Sequence, residues 1–358
     1  MKWLESVEGY PVIDWSDGRP PATYEEEVTG KLDANENLFL PRSFLRGLVR
    51  QVLRETDINL YPTREYHQLA YAISKYVKVP VQNVALGSGS DQIIDLLISS
   101  FLSAGDRILT TRPGFSWYRV RGAFRGFSTI EVPLGENFEF SADKMLANSG
   151  GTRVAFVDSP NNPTGAQFDR AEIERLVEGF PGLVVLDEAY AEFAKETLID
   201  LTSNHDNLVV LRTFSKAFGL AGFRVGYMVA NVRVAKMFRL KVQYVYGINA
   251  LGVRVAKNAL ENLRPIRKAV AEMKRERAWM SKELAKIEGI RVWPSQANFL
   301  FVLVYRKTDA VKNELAKRGL LVREFPAERP KQTYLRITIA KRAVNERVLL
   351  ALRAGLGL

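Results

Sequence analysis

Short apolar runs recur along this chain, each closing on a polar or glycine-rich end and most followed by residues of helical period. "NVALGSG" leads into "DQIIDLLISSFL", "RILTT" into "WYRVRGAFR", and "STIEVPL" comes next. "TRVAFVDSP" precedes "RAEIERLVEGF", and both "GLVVLDEAY" and "NLVVLRTFSK" repeat the apolar run with a polar terminus. Runs this short and this apolar predict strands buried on both faces, and the intervening spacing of three and four predicts helices. Their alternation predicts an α/β fold, with a mostly parallel central sheet flanked by helices. Past Ala250 the pattern changes to one long charged helix. After it come "IRVWPSQANFLFVLV", "DAVKNELAKRG", "LLVREF", "YLRITIA" and a last helix, "KRAVNERVLLALRAGL". That succession predicts a smaller α/β unit with antiparallel strands. The expected division is an N-terminal arm over 1–45 packing with the small domain, a large domain over 46–250 and a small domain over 251–358. The whole stretch to about Leu60 reads as irregular.

Composition narrows the function classes. The chain has 358 residues, 47% of them hydrophobic and 25% charged, as in ordinary globular proteins. There is no cysteine and there are only two histidines, His67 and His205, so thiolate chemistry is excluded and no metal site is expected. The N-terminus has no apolar signal-like core and no run is long enough to span a bilayer, so a soluble, cytoplasmic protein without a membrane partner is expected. The net charge of +11 raises a nucleic-acid partner. Yet the basic residues are dispersed, and the densest zone, Arg264 to Lys286, mixes Glu with Lys and Arg at helical spacing, as a solvated helix face does. No nucleic-acid partner is expected; attraction of small anions such as phosphate esters is.

Ligands of parallel α/β sheets bind beyond the carboxyl ends of the strands, so the residues that follow each strand are the candidates. After "NVAL" comes Gly-Ser-Gly-Ser90-Asp91 entering a helix, where exposed N–H groups suit a phosphate. After "VAFV" comes "DSPNNPTG", whose Asn162 is placed to hold a ring hydroxyl, although a plain surface turn is the simpler alternative. After "LVVL" come Asp187, suited to a protonated ring nitrogen, and Tyr190, suited to a phenolic oxygen; a helix cap or ion pair is the alternative for Asp187. After "VVLR" come Ser215 and Lys216, with Arg224 beyond two glycines and able to reach back to a phosphate. Lys216 stands in the apolar, glycine-punctuated stretch "TFSKAFGLAGFRVGY". Burying an ammonium there is costly unless the amine is neutral or covalently used. Taken together, these groups describe one cofactor, pyridoxal 5′-phosphate.

"SPNNPTG", "DEAY" and "SKAFGLAGFRVGY", in this order, resemble the fold-type-I pyridoxal-phosphate-dependent aminotransferases of class I/II, over nearly the whole chain. "LDANENLFLP", "LYPTREYHQLAYAIS", "SQANFLFV" and "YLRITIA" make the resemblance strongest to the histidinol-phosphate branch. The resemblance implies that Lys216 is the catalytic lysine that binds the cofactor covalently and shuttles a proton. It implies that Asp187 pairs with the pyridine nitrogen and that Asn162 and Tyr190 hold the 3′-oxygen. Ser90, Asp91, Ser215 and Arg224 then surround the phosphate, with Asp91 contributing a backbone N–H or a helix cap rather than its carboxylate. Phe115, in "RPGFSWY", takes the ring-stacking position without the hydroxyl that many relatives have there. "LFLP" stands where many relatives have "NPLGP". Tyr61 matches a tyrosine that reaches the neighbouring subunit's cofactor, which implies a homodimer. Arg336 and Arg323 match substrate-binding arginines, and Asn35 and Tyr24 are expected beside substrate. For Tyr61 a core role, and for the two arginines a surface one, stay open. The implied reaction is transamination of L-histidinol phosphate with 2-oxoglutarate in histidine biosynthesis. A threonine-phosphate decarboxylase or an aromatic amino-acid aminotransferase of the same fold is the alternative, and a nucleic-acid-binding regulator is a more distant one.

Overall fold

In the computed structural model, residues 29–358 are described. Among the described residues, eight strands precede residue 250: β1 (Gly30–Lys31), β2 (Val84–Gly87), β3 (Arg107–Arg112), β4 (Ser128–Pro133), β5 (Thr152–Asp158), β6 (Leu183–Asp187), β7 (Leu208–Thr213) and β8 (Gly226–Ala230). Seven of them form one sheet in the order β2-β8-β7-β6-β5-β3-β4. Pairing is parallel from β7 through β4, whereas β8 runs antiparallel to both β7 and β2. The mostly parallel sheet expected from the sequence is therefore present.

Alternation along the central strands explains why both faces are covered. Val154 and Phe156 of β5, Val185 of β6 and Val209 and Leu211 of β7 enter one apolar layer. Ala155 and Val157, Val184 and Leu186, and Leu208 and Val210 enter the opposite one. Helix Gly89–Phe101 covers the first layer with Ile93, Ile94, Leu96, Leu97 and Ile98. Helices Thr63–Val77, Arg170–Gly179 and Ala250–Glu261 contribute to the second. Two apolar layers hold the sheet, so its strand ends are free to carry polar chemistry.

The remaining strands are β9 (Ile290–Val292), β10 (Phe299–Val304), β11 (Leu320–Leu321), β12 (Arg323–Pro326) and β13 (Thr333–Thr338). Four form an antiparallel sheet in the order β12-β13-β10-β9, as expected. The register sets Arg323 opposite Arg336. β1 pairs in parallel with β11, which ties the N-terminal segment to this smaller unit.

Two local readings are corrected. The stretch to Leu60 is not irregular throughout: Arg42–Glu55 is a helix that runs across the boundary expected at residue 45. Its sequence is rich in arginine, and only Leu48 and Val52, four residues apart, are fully buried. The charged helix after Ala250 is two helices, Ala250–Glu261 and Leu263–Leu284, interrupted at Asn262, whose backbone leaves helical geometry. The first of these packs against Arg42–Glu55 and Thr63–Val77. Among the described residues no helix is long and apolar enough to cross a membrane.

Candidate active site

The carboxyl ends of β5, β6 and β7, the start of helix Gly89–Phe101, the Asp33–Asn35 segment and the β12–β13 pair enclose a cavity of about 280 Å³. Of the residues expected at the site, Asn35, Ser90, Asp91, Phe115, Asn162, Asp187, Tyr190, Ser215, Lys216, Arg224, Arg323 and Arg336 all line it. Tyr61 does not: it is 75% exposed and stacks on Tyr246 with ring centroids 4.4 Å apart. Tyr24 lies outside the described residues.

Lys216 follows β7, and its Nζ donates to the Ala34 carbonyl at 2.9 Å. Burial, assisted by the cations of Arg336 and Arg224 and opposed by Asp91 and Glu36, lowers its pKa to about 8. A neutral amine is thus accessible near physiological pH, which an ordinary surface lysine does not provide.

Asp187 closes β6 and is almost wholly buried. One carboxylate oxygen accepts from the Tyr118 hydroxyl at 3.0 Å and the other from the Ala189 N–H at 3.0 Å. Burial pushes it up to about 6, the Asp91 charge adds to the rise, and the two donors and Lys216 oppose it. Tyr118 keeps its proton, because burial and the adjacent carboxylate drive its pKa well upward. A carboxylate desolvated to this degree is set to gain from a cationic N–H partner.

The corner of the cavity around Arg224 is built around a close approach. Gly89 has φ +75°, and a Cβ there would stand 2.7 Å from Arg224 Nη2. Gly226 is equally constrained, since a Cβ would meet the backbone of Gly89 and Ser90 at 2.6 Å. Arg224 itself adopts a left-handed φ of 53°, uncommon for a side chain of this size and a form of strain found where geometry serves a site. Its guanidinium donates to Ser215 Oγ at 3.4 Å and to Asp91 Oδ2 at 2.8 Å. The expectation for Asp91 is thereby corrected in part. Its carboxylate is engaged by Arg224 rather than capping the helix, whose N-cap, Ser88, makes no side-chain capping bond. Hydroxyls, a guanidinium and a helix start around a corner that only glycine leaves open are the donors a phosphate ester requires.

On the opposite side, Arg336 is 8% exposed and donates to Asn162 Oδ1 at 2.6 Å and to the Asp33 carbonyl. The arginine thus engages the acceptor end of the Asn162 amide, so the donor end is the one suited to a ring oxygen. Asn35 Nδ2 donates to the Tyr190 hydroxyl at 2.8 Å, so Asn35 orients an expected cofactor ligand as well as lining the cavity. Phe115 offers an aromatic face and meets Tyr118 edge-on at 5.4 Å. The cavity therefore joins an amine of lowered pKa, a buried carboxylate, a ring-oxygen donor, an aromatic face and a phosphate corner. That set fits pyridoxal phosphate.

The sequence reading omitted Tyr118, Asp158 and Phe325. The signal for Tyr118 was its place three residues after Phe115: a tyrosine on the buried face of helix Trp117–Phe124 needs a partner for its hydroxyl.

Comparison with known proteins agrees with this geometry. The model of the family described as aminotransferase class I and II matches residues 29–352. A histidinol-phosphate aminotransferase of Thermoanaerobacter pseudethanolicus is 36% identical over 326 residues, covering 90% of this chain and 92% of the relative. The crystal structure of the Sinorhizobium meliloti histidinol-phosphate aminotransferase in complex with pyridoxal 5′-phosphate superposes with a TM-score of 0.85 at 24% identity, over 99% of this chain and 96% of that one. An L-threonine-O-3-phosphate decarboxylase from Porphyromonas gingivalis has a TM-score of 0.78 at 23% identity, over 92% of this chain and 100% of that one. At these identities both structures speak for the fold.

The lowered basicity of Lys216 is open to direct measurement. Acetic anhydride labelling of the cofactor-free protein, followed peptide by peptide, should show Lys216 acetylation rising to a plateau with a midpoint near pH 8. Exposed lysines should reach theirs near about 10.4. A Lys216 midpoint equal to that of the exposed lysines would contradict the desolvated site.

Proposed function

Because the chain belongs to the class I and II aminotransferase family, we propose that it transfers an amino group between L-histidinol phosphate and 2-oxoglutarate, with pyridoxal 5′-phosphate as cofactor. The products are imidazole-acetol phosphate and L-glutamate. The observation that carries the substrate reading is the pair of arginines, Arg323 and Arg336, set opposite each other on β12 and β13 and lining the same cavity as Lys216. A guanidinium pair accepts either a phosphate or a carboxylate by forked hydrogen bonds, as a reaction with one phosphorylated and one dicarboxylic partner requires.

Bound pyridoxal phosphate supplies an electron sink for the bond broken at the substrate Cα and a carbon that stores the amino group between half-reactions. Lys216 would hold the cofactor through Nζ, and as a free amine would take the proton from the substrate Cα and hold it for return. Its pKa near 8 suits both duties. Asp187, steadied by Tyr118 and Ala189, keeps the ring nitrogen protonated. Asn162 and Tyr190 orient the ring through its oxygen, and Ser90, Ser215 and Arg224 anchor the phosphate. In this reading the small-domain arginines and Asn35 face the substrate, and the Asp91 carboxylate tempers the charge of Arg224.

The enzyme works as a homodimer in this reading. Tyr61 is exposed and does not line its own cavity, and Ile58, Leu60, Tyr244, Val245 and Tyr246 are exposed as well. Exposed apolar side chains joined by the Tyr61–Tyr246 stack are what a two-fold interface buries, and such an interface would carry Tyr61 to the partner's cofactor.

The substrate assignment is tested by absorbance. Adding L-histidinol phosphate, without an oxo acid, to the loaded protein should move the visible cofactor band to the near ultraviolet in wild type. Lys216→Ala should lose turnover by about 10²–10⁴-fold or more. A visible band indifferent to histidinol phosphate would exclude that substrate, and release of carbon dioxide from threonine phosphate would favour the decarboxylase.

Subunit mixing tests the shared site. Tyr61→Ala and Lys216→Ala proteins, each impaired alone, should recover about a quarter of wild-type activity when unfolded together and refolded as a one-to-one mixture, since half the dimers then hold one complete site. Absence of any recovery, with mixed dimers shown to form, would place Tyr61 outside the partner's site.

A further inference from the structure

Asp158 closes β5 as Asp187 closes β6, and the two stand opposite each other in register. Asp158 is 3% exposed and lines the cavity, yet none of the roles above uses it. Its contacts are all with donors. Oδ2 accepts the Asn162 N–H at 2.6 Å, Oδ1 accepts Asn161 Nδ2 at 3.2 Å, and the Phe115 N–H donates to the same carboxylate. Phe115 and Asn162 are the residues given to the ring face and the ring oxygen. They come from separate loops, one after β3 and one after β5, and Asp158 is the side chain bonded to both backbones.

We infer that Asp158 is a positioning residue for the cofactor ring, fixing Phe115 and Asn162 relative to each other by accepting their backbone N–H groups. The inference rests on the pyridoxal-phosphate reading of the cavity.

The rest of the loop leaves this task to Asp158. Asn161 holds its own turn, with Oδ1 accepting from Thr164 Oγ1 at 2.7 Å and its backbone bonding Gly165 and Ala166, and its Nδ2 also reaches the Pro113 carbonyl at 3.2 Å, but it bonds neither the Phe115 nor the Asn162 N–H. Asn162 then projects toward Arg336. Burial, with Asp187 as neighbour, pushes the Asp158 pKa up to about 7, so the carboxylate is retained at an energetic cost. A neutral side chain would avoid that cost but would not offer acceptors alone: asparagine would place one N–H₂ among donors. The other ionisable groups around it are Asp187 on β6, Tyr118 on the helix after β3, and Lys216 and Arg336 across the cavity.

The test uses the loaded protein and the pH midpoint of its visible absorbance band. A donor to the ring oxygen favours the form with the full oxygen charge, so losing it raises the midpoint; losing a nearby negative charge lowers it. Asp158→Ala should therefore raise the midpoint by about one pH unit, the scale of one hydrogen bond to a charged group. Asn162→Ala should shift it in the same direction, and Asp158→Ala combined with Asn162→Ala should add little further. Asp158→Asn, which keeps one acceptor and serves if the alanine variant does not fold, should give a smaller rise. An unchanged midpoint in whichever Asp158 variant folds would overturn the inference, and so would a fall, which would make Asp158 a through-space charge. If the unsubstituted protein formed no visible band, the cofactor reading would fail first and the inference with it.

Discussion

Desolvation of charge at the strand ends is the constraint around which this molecule is arranged. Three ionisable groups, Asp158, Asp187 and Lys216, are carried into one cavity by adjacent parallel strands whose apolar interiors are packed on both faces. Each is moved toward its neutral form by burial: the carboxylates rise to about 7 and about 6, and the amine falls to about 8. The sheet thus brings an acid and a base close to the same working pH without a thiol. A pyridinium nitrogen against Asp187 would relieve the deficit that the protein leaves there.

A second buried network supports the first from behind. Arg212, next to the cavity-lining Thr213, donates to Glu188 and Glu192 at 2.9 Å and to Thr197 at 2.7 Å. Glu188 also accepts the Leu198 N–H at 2.6 Å, so both ends of the segment carrying Tyr190 are held. Two carboxylates around one guanidinium leave a negative excess, and burial raises Glu192 against the pull of Arg212. Such a cluster is a poor source of stability compared with apolar packing, but it allows few alternative geometries for the loop it holds.

Legibility in the sequence followed how locally each feature is encoded. The central strands were readable because burial on both faces demands unbroken apolar runs, as in "LVVLD" and "LVVLR". That Lys216, Asp187, Asn162, Tyr190 and Arg224 share one cavity was readable because they follow successive strands of one sheet. Helix Arg42–Glu55 escaped although Phe44, Leu45, Leu48, Val49 and Val52 recur at helical spacing, because its arginines and the irregular stretch on either side obscure that apolar stripe. The reversal of β8 also escaped: the connection from Phe214 to Val225 is closed by backbone bonds such as Phe214 N–H to the Val225 carbonyl, with Gly219 and Arg224 at positive φ, which composition does not announce. Tyr118 carried only the general signal that a buried hydroxyl needs a partner, which it finds 69 positions away, and Asp158 was unreadable as a site residue because one of its partners, Phe115, comes from a different loop.

The central claim is that one lysine, placed by β7 among these strand ends, binds the cofactor. Borohydride reduction of the pyridoxal-phosphate-loaded protein, followed by peptide mass mapping, tests it most directly. The account predicts a single pyridoxyl adduct per chain, on the Lys216 side chain. An adduct distributed over exposed lysines, or none on Lys216 at full cofactor occupancy, would contradict it.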